Sequence, residues 1–389
     1  MCLYGISMEL FLVYLAVAAI FFIYFYYDNL RAFNPFIKEY YLAKERVITF
    51  AAGSEENINY EFGNYLNVLM KEHLKRVGYF KVNVSSVVSN AESIEQTNIG
   101  NTDFGIATEY TLNKANTKNI RYICSLYDAN VLILSDNRNT KIFDFNDLEG
   151  SSIVMHIGPK GSLSNSMARQ VMALCGIPVE RVKIAETPYD TLIEDYGKSI
   201  RVVFLVSVMN NDLLLKLTNS VSSHFITLNK LNNGNLYSKT AAEIQIYKEN
   251  PYLHKTLISY QNFFKTYPAL TRLNERQHYI PSIKTRYVLF SNSNLEEDIG
   301  YFVLKTIVEQ LHNLEEFIQK ATLMDIGFSL LPLEMDKGAR KFYKEQNIIV
   351  TSEQNPDCIY YINGAKCPED TMELTGRLVD INAFNVNVI

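Results

Sequence analysis

The sequence predicts an α/β protein made of two α/β units in series behind an N-terminal transmembrane helix. Three observations predict it. Strand-like and helix-like segments alternate from Val47 to Ala107, and alternate again from Ser151 to Leu217. The stretch Ser151–Pro178 reads as a strand, a glycine loop and a helix. Finally, Leu10–Tyr27 (LFLVYLAVAAIFFIYFYY) carries no charge. At about 1.5 Å per residue, that run spans roughly 27 Å, close to the thickness of a bilayer core.

The aromatic cluster Phe21–Tyr27 suits the interface belt at the end of such a span. Met1–Glu9 holds no Lys or Arg, so the basic n-region of a cleaved signal peptide is missing. We therefore expect an uncleaved anchor at 8–28, followed by an aromatic-rich connector at 29–44. Positive charge follows the span (Arg31, Lys38, Lys44, Arg46), which by itself would leave the large domain in the cytoplasm.

Composition narrows the function classes. At 389 residues with 48% hydrophobic content, the chain can bury two cores. A net charge of −5 argues against a nucleic-acid binder, which would need a basic face.

In order, Val47–Ala51 is the first strand. The helix from about Tyr60 places Phe62, Tyr65, Leu66, Leu69, Met70 and Leu74 on one face. Val82–Val88 alternates as a second strand. Ser89 and Glu92 have capping-box spacing at the start of a short helix that ends at Gly100. Phe104–Ala107 is the third strand, and Ile120–Tyr127 and Val131–Leu134 are two further apolar runs. The pattern then restarts. Val182–Ala185 is a strand, Thr187–Tyr196 a helix, Val202–Val206 a strand and Asp212–Leu217 a helix start. Ser220–Lys284 mixes turns, aromatics and three prolines. Tyr287–Phe290 reads as a strand and Leu295–Ile318 as a long amphipathic helix.

In Ser151–Pro178, Gly158 and Gly161 bracket a turn. Met167, Ala168, Val171, Met172, Leu174 and Cys175 then recur at helical spacing, and Gly176 and Pro178 end the helix. A helix start offers unpaired N–H groups and a positive dipole end, which suits an anion. The spacing is not that of a P-loop, because two residues separate the glycines and Lys160 precedes the second. Taken alone, the loop also fits an ordinary strand-to-helix turn.

No Cys-x-x-Cys or Cys/His cluster suggests zinc, and no cofactor is expected. Cys175 falls on the apolar face of its helix. Cys358 and Cys367 flank an Asn363-Gly364 hairpin signal. That spacing is compatible with a disulfide in an oxidising compartment and equally with two free thiols. His156 beside the glycine loop has no Cys, Asp or Ser partner at motif spacing, so an enzyme is not expected.

Four segments in this order carry a resemblance. They are the strand, polar loop and aromatic helix at Ile48–Leu69; SNAESIEQTNIGNTDFG at Ser89–Gly105; Gly158–Gly176; and Gly338-Ala-Arg-Lys-Phe-Tyr-Lys-Glu. Ser93 and Asp103 keep the pattern of the second. Gly158, Pro159, Gly161 and Ser162 keep the third. Pro332, Gly338, Ala339, Phe342, Tyr343 and Glu345 keep the last. Over roughly Arg46–Asn347 the chain resembles the TAXI family, the solute receptors of TRAP transporters. It departs from that family in its first loop, Ser54-Glu55-Glu56-Asn57-Ile58-Asn59, where the family is glycine-rich. It also departs after the Val202–Val206 strand, where Val208-Met209-Asn210-Asn211 stands in place of a Gly and a Pro.

The resemblance implies a type II periplasmic binding protein-like fold, with two α/β lobes joined by two crossing strands. Lobe one would comprise 45–130 and 255–350, lobe two 131–254, and a C-terminal tail 351–389. Ligand would enter the cleft between lobes by a hinge motion. Donors would come from Gly53, Ser54, Asn57, Tyr60, Ser89, Asn90 and Ser93 on one side and from Gly161, Ser162 and Ser164 on the other. The implied function is a membrane-anchored receptor that delivers an organic acid or amino acid to a TRAP-type membrane permease. Its domain would lie outside the inner membrane, against the flanking-charge bias, since large domains translocate regardless of such charges. The alternative is a repurposed scaffold or subunit of a membrane complex, which the altered loops favour.

Overall fold

The structure, a computed structural model, describes residues 46–52, 58–74, 80–87, 89–138, 142–208, 211–228, 230–231, 234–235, 250, 252–259, 267, 270, 279–310 and 333–346. The predicted anchor at 8–28, the connector at 29–44 and the tail at 351–389 lie outside them. Among the described residues no helix is long and apolar enough to cross a membrane.

The first unit runs β1 (Arg46–Ala51), α1 (Ile58–Leu74), β2 (Phe80–Ser85), α2 (Asn90–Asn98), β3 (Phe104–Thr108) and the single turn α3 (Glu109–Leu112). Then comes β4 (Ile120–Asp136), one strand of 17 residues where the sequence shows two apolar runs. The second unit runs β5 (Val154–His156), α4 (Leu163–Leu174), β6 (Lys183–Ala185), α5 (Tyr189–Asp195), β7 (Val202–Ser207), α6 (Asp212–Ser220) and β8 (Ser223–Phe225). A small hairpin, β9 (Lys230–Leu231) and β10 (Gly234–Asn235), precedes β11 (His254–Ser259) and β12 (Tyr279–Asn292). The helices α7 (Glu297–Glu309) and α8 (Lys337–Glu345) close the described chain.

The strands form one sheet in the order β2-β1-β3-β12-β4-β7-β5-β6, with β8 beside β4 and β11 beside β12. The units are each parallel inside, with β1 between β2 and β3, and β5 between β6 and β7. The two long strands between them are antiparallel to each other and pass from one unit to the other. In β12, Tyr287–Ser291 pairs with β3, while Tyr279–Lys284 pairs with β11. In β4, Ile120–Asn130 pairs with β12, while Asn130–Ser135 pairs with β7. This is the expected arrangement of two α/β units linked by two crossing strands. The expected boundary between residues 130 and 131 falls inside β4. Ile258, Ile280 and Ile283 sit in cores of the second unit, and β12 reaches the first unit from about Tyr287 onward.

Apolar alternation shows why the second unit's strands read as continuous hydrophobic runs. Val202 and Phe204 face a core with Met155, Met167, Ala168, Val171 and Met172. Val203 and Leu205 face the opposite core with Leu192, Leu214 and Leu217. A strand covered on both faces has no polar side to show. The first unit's core is filled by Phe50, Phe62, Leu66, Phe104 and Ile106, sealed by Phe290, Val303 and Ile307. Phe50 and Phe104 stack at 4.7 Å between centroids on adjacent strands.

The β2 strand begins two residues earlier than its alternation predicts. The α5 helix begins after Pro188 instead of Thr187, whose hydroxyl is 2.8 Å from His156 Nδ1.

At the far end of β4 the Asp136 side chain is fully buried. It accepts hydrogen bonds from Arg138 Nε at 2.9 Å and Arg201 Nη1 at 2.7 Å. Burial pushes the Asp136 carboxyl up, but the bonds from Arg138 and Arg201 outweigh it and hold it below the usual carboxylate range. A depressed folded value stabilises the fold above about pH 4, and that contribution is lost as pH falls through the folded value. In urea titrations the stability gap between the parent and Asp136→Asn is expected to be widest at neutral pH. It closes as pH falls through the lowered folded value, and a gap indifferent to pH refutes the assignment.

Candidate functional site

Strand direction decides where the helix starts meet. β3 is antiparallel to β12, β12 to β4, and β4 to β7. The carboxyl end of β3 therefore points toward the second unit and that of β7 toward the first. The loops that begin α1, α2 and α3 face those that begin α4, α5 and α6. Ligands of open α/β sheets bind at such strand ends.

The crossing strands make the floor. Tyr127 of β4 and Tyr287 of β12 lie 5.2 Å apart between ring centroids, with Phe62 of α1 6.0 Å from Tyr127. The Tyr127 hydroxyl donates to Asn59 Oδ1 in the first turn of α1. Burial pushes the Tyr287 hydroxyl up to about 12, against the pull of its hydrogen bonds with Asn90 and Asn59. Tyr189, which begins α5, is close enough to Tyr287 to raise it further. On the same side, a Cβ at Gly158 would meet the Tyr189 ring at 3.4 Å and Ser162 Oγ at 3.1 Å. Asn59, Asn90, Tyr127, Tyr287, Tyr189, Gly158 and Ser162 thus converge from both units.

A charged group underlies the floor. Lys284 Nζ is 2.5 Å from Asp128 Oδ2, and Arg286 Nε is 3.5 Å from Asp128 Oδ1. Glu109 Oε2 is 3.2 Å from His254 Nε2. Burial would raise Asp128, yet Lys284 and Arg286 hold its carboxyl low. Burial would lower Arg286, yet Glu109 and Asp128 raise it. Asp128 with Lys284 and Arg286 ties β4 to β12 where both leave one unit for the other, and Glu109 with His254 ties α3 to β11.

The sequence-predicted residues do not share one environment. Gly53, Ser54 and Asn57 lie outside the described residues, as do Cys358 and Cys367. Asn90 and Tyr60 begin helices that face the floor and are half-buried. Ser89 and Ser162 are helix caps: Ser89 Oγ accepts from Glu92 N at 3.2 Å and Ser162 Oγ from Asn165 N at 3.1 Å. Gly161 is exposed with φ +83°. Ser93 and Ser164 are buried, and both are occupied by backbone. The Ser93 hydroxyl donates to Ala51 O at 2.8 Å and accepts from Ile106 N at 3.1 Å, pinning α2 to the sheet. Ser164 Oγ accepts from Val206 N at 3.0 Å, pinning α4 to β7.

Sequence reasoning missed Asn59, Tyr127, Tyr189 and Tyr287. The available signal was the polar interruption Asp128-Ala129-Asn130 within a long apolar stretch, which marks a strand leaving one core for another. The glycine-and-tyrosine signature near the C-terminus is structural. Gly338 and Ala339 of α8 pack on α7, and Tyr343 Oη donates to Ile123 O of β4 at 3.1 Å.

Chemically, the site offers amide and phenol groups on rigid elements. Among the described residues no three His, Cys, Asp or Glu side chains are grouped to hold a metal ion. Cys124 and Cys175 are buried free thiols, and burial pushes Cys175 up to about 12. Burial lowers His156.

No curated protein matches the chain. Among solved structures, the periplasmic aliphatic sulphonate binding protein SsuA from Escherichia coli is similar at 13% identity and a TM-score of 0.42, over 70% of this chain and 76% of its own. The alkanesulfonate-binding protein SsuA from Xanthomonas axonopodis pv. citri, bound to MOPS, is similar at 14% identity and a TM-score of 0.35. That likeness covers 48% of this chain and 61% of the other, less than two thirds of its length. The effector binding domain of a BenM variant is similar at 12% identity and a TM-score of 0.40, over 70% of this chain and 97% of its own. The NMT1-like family matches residues 50–346, well over half of the sequence and every element from the end of β1 to the end of α8. By that match the chain belongs to the NMT1-like family.

Proposed function

We propose that this chain is a solute-binding receptor of the periplasmic binding protein type. Its solute is a small organic acid or amino acid, captured between the two units and passed to a TRAP-type permease. The N-terminal segment anchors it in the inner membrane with the domain on the extracytoplasmic side. One observation carries the reading. Two parallel half-sheets point their carboxyl ends at each other across two shared strands, so that helix starts from both converge on Asn59, Asn90, Tyr127, Tyr287 and Ser162. Helix starts supply oriented N–H donors, and the amides and phenols supply directional hydrogen bonds.

The test is thermal unfolding of the full-length protein in detergent against a panel of organic acids and amino acids. A true solute at about a hundred times its Kd stabilises by about 2.7 kcal/mol, which is read as a rise of several degrees. A panel without any shift at millimolar concentration overturns the reading.

A second reading is favoured by how closely the chain's own side chains fill the floor. Asn59 is fully buried, and Tyr127 and Tyr287 are nearly so. In that reading the units form a fixed scaffold in a membrane complex. A silent panel together with stoichiometric co-purification of partners other than a permease supports it.

A further inference from the structure

The two units each hold a residue of the other. Tyr110, from the turn that follows β3 in the first unit, is buried in the second unit's core with Met155, Met167 and Phe204. Val208, which follows β7 in the second unit, is buried in the first unit's core. Leu163, the first residue of α4, packs against both cores.

Tyr110 is also held by polar contacts on every side. Its hydroxyl donates to Ser166 O in the first turn of α4 at 3.0 Å. It accepts from Lys114 Nζ at 2.6 Å, and the same ammonium lies 4.0 Å from the ring centroid. Tyr110 N donates to Thr285 Oγ1 of β12 at 3.3 Å. The ring meets Tyr252 edge-on at 5.5 Å. Lys114 lies on the exposed side, so the phenol is clamped between a cation of its own unit and a carbonyl of the other.

We infer that Tyr110 and Val208 are reciprocal anchors that lock the two units in the closed arrangement without any solute. Separating the units withdraws a buried aromatic ring from one core and a valine from the other. It also breaks a hydrogen bond strengthened by the Lys114 charge. The resting protein is therefore closed. If solute enters only the open form, its apparent affinity is divided by the small open fraction. The anchors concern the empty protein, so the inference stands or falls independently of which solute, if any, is bound.

The experiment measures an inter-unit distance by pulsed electron spin resonance on the full-length protein in detergent, with no solute added. Spin labels go on cysteines placed at Asn64 of α1 and Asp190 of α5, both exposed. Cys2, Cys358 and Cys367 are replaced by serine, and the buried Cys124 and Cys175 stay. The parent is expected to give one narrow distance. Tyr110→Phe keeps the ring but loses the hydroxyl, and raises the ratio of long to short distances about tenfold. Tyr110→Ala raises it further, and Lys114→Met raises it less than Tyr110→Phe. Two outcomes overturn the inference: a parent already spread over long distances, or a Tyr110→Phe variant that keeps the single narrow distance. Tyr110→Phe decides the matter even where Tyr110→Ala does not fold.

Discussion

Gly338→Ala is expected to destabilise the fold by about 4 kcal/mol. A Cβ at Gly338 would lie 2.0 Å from Glu297 O and 2.3 Å from Tyr301 N, both backbone atoms of α7. Neither can rotate away, so α8 must move off α7. That displacement reaches the cap of α8. Asp336 accepts from Gly338 N at 2.9 Å, Ala339 N at 3.1 Å and Ser291 Oγ at 2.9 Å. Its carboxyl sits 2.0 Å from where a Cβ on Gly300 would stand. Moving α8 loosens Ser291 of β12 and, through Tyr343, Ile123 of β4. The measurement is urea unfolding by circular dichroism. An Ala variant within 1 kcal/mol of the parent shows that the helices separate freely.

Gly105→Ala is expected to cost about 3 kcal/mol by a different route. A Cβ there would meet the Phe290 ring at 2.4 Å and Thr97 Oγ1 at 2.6 Å. Phe290 is fully buried on β12, the strand between β3 and β4. Thr97 is held by its own bonds to Ser93 O at 2.9 Å and to Thr102 Oγ1 at 2.9 Å. The double variant Gly105→Ala with Phe290→Leu should recover part of the loss, because the smaller side chain leaves room for the methyl. Calorimetry on the single and double variants checks this. Losses that simply add place the strain elsewhere.

What the sequence made legible follows the range of the interactions. Caps and glycine turns are local chemistry. Ser89, Ser162 and Gly158 therefore sit where spacing placed them, at the starts of α2 and α4. The alternation of strand and helix came through because each element carries its own period. The crossing strands were harder. β4 looked like two runs because Asp128 and Asn130 interrupt it where it changes cores. The first half of β12 is hidden by Pro281 and by Lys284 and Arg286, whose ion-pair partner Asp128 lies more than a hundred residues away. The floor of the site shares that difficulty. Asn59, Tyr127 and Tyr287 meet only through the registers of β4 and β12, and no local pattern announces them. Ser93, one turn into α2, has its hydroxyl bonded to Ala51 O and Ile106 N of the sheet, partners that no local spacing reveals.

The insertion of β12 between β3 and β4 also sets the order in which the chain can mature. β3 and β4 end at residues 108 and 136, yet the strand that joins them comes from residues 279–292. A polypeptide emerging from the ribosome has β1, β2 and β3 long before their neighbour exists. Until Tyr279–Asn292 has been made, one edge of that first sheet is an open template with unpaired backbone groups. Such an edge is where intermolecular pairing starts. The N-terminal half is thus a fragment that cannot be released early, and its biogenesis depends on keeping that edge covered until β12 arrives.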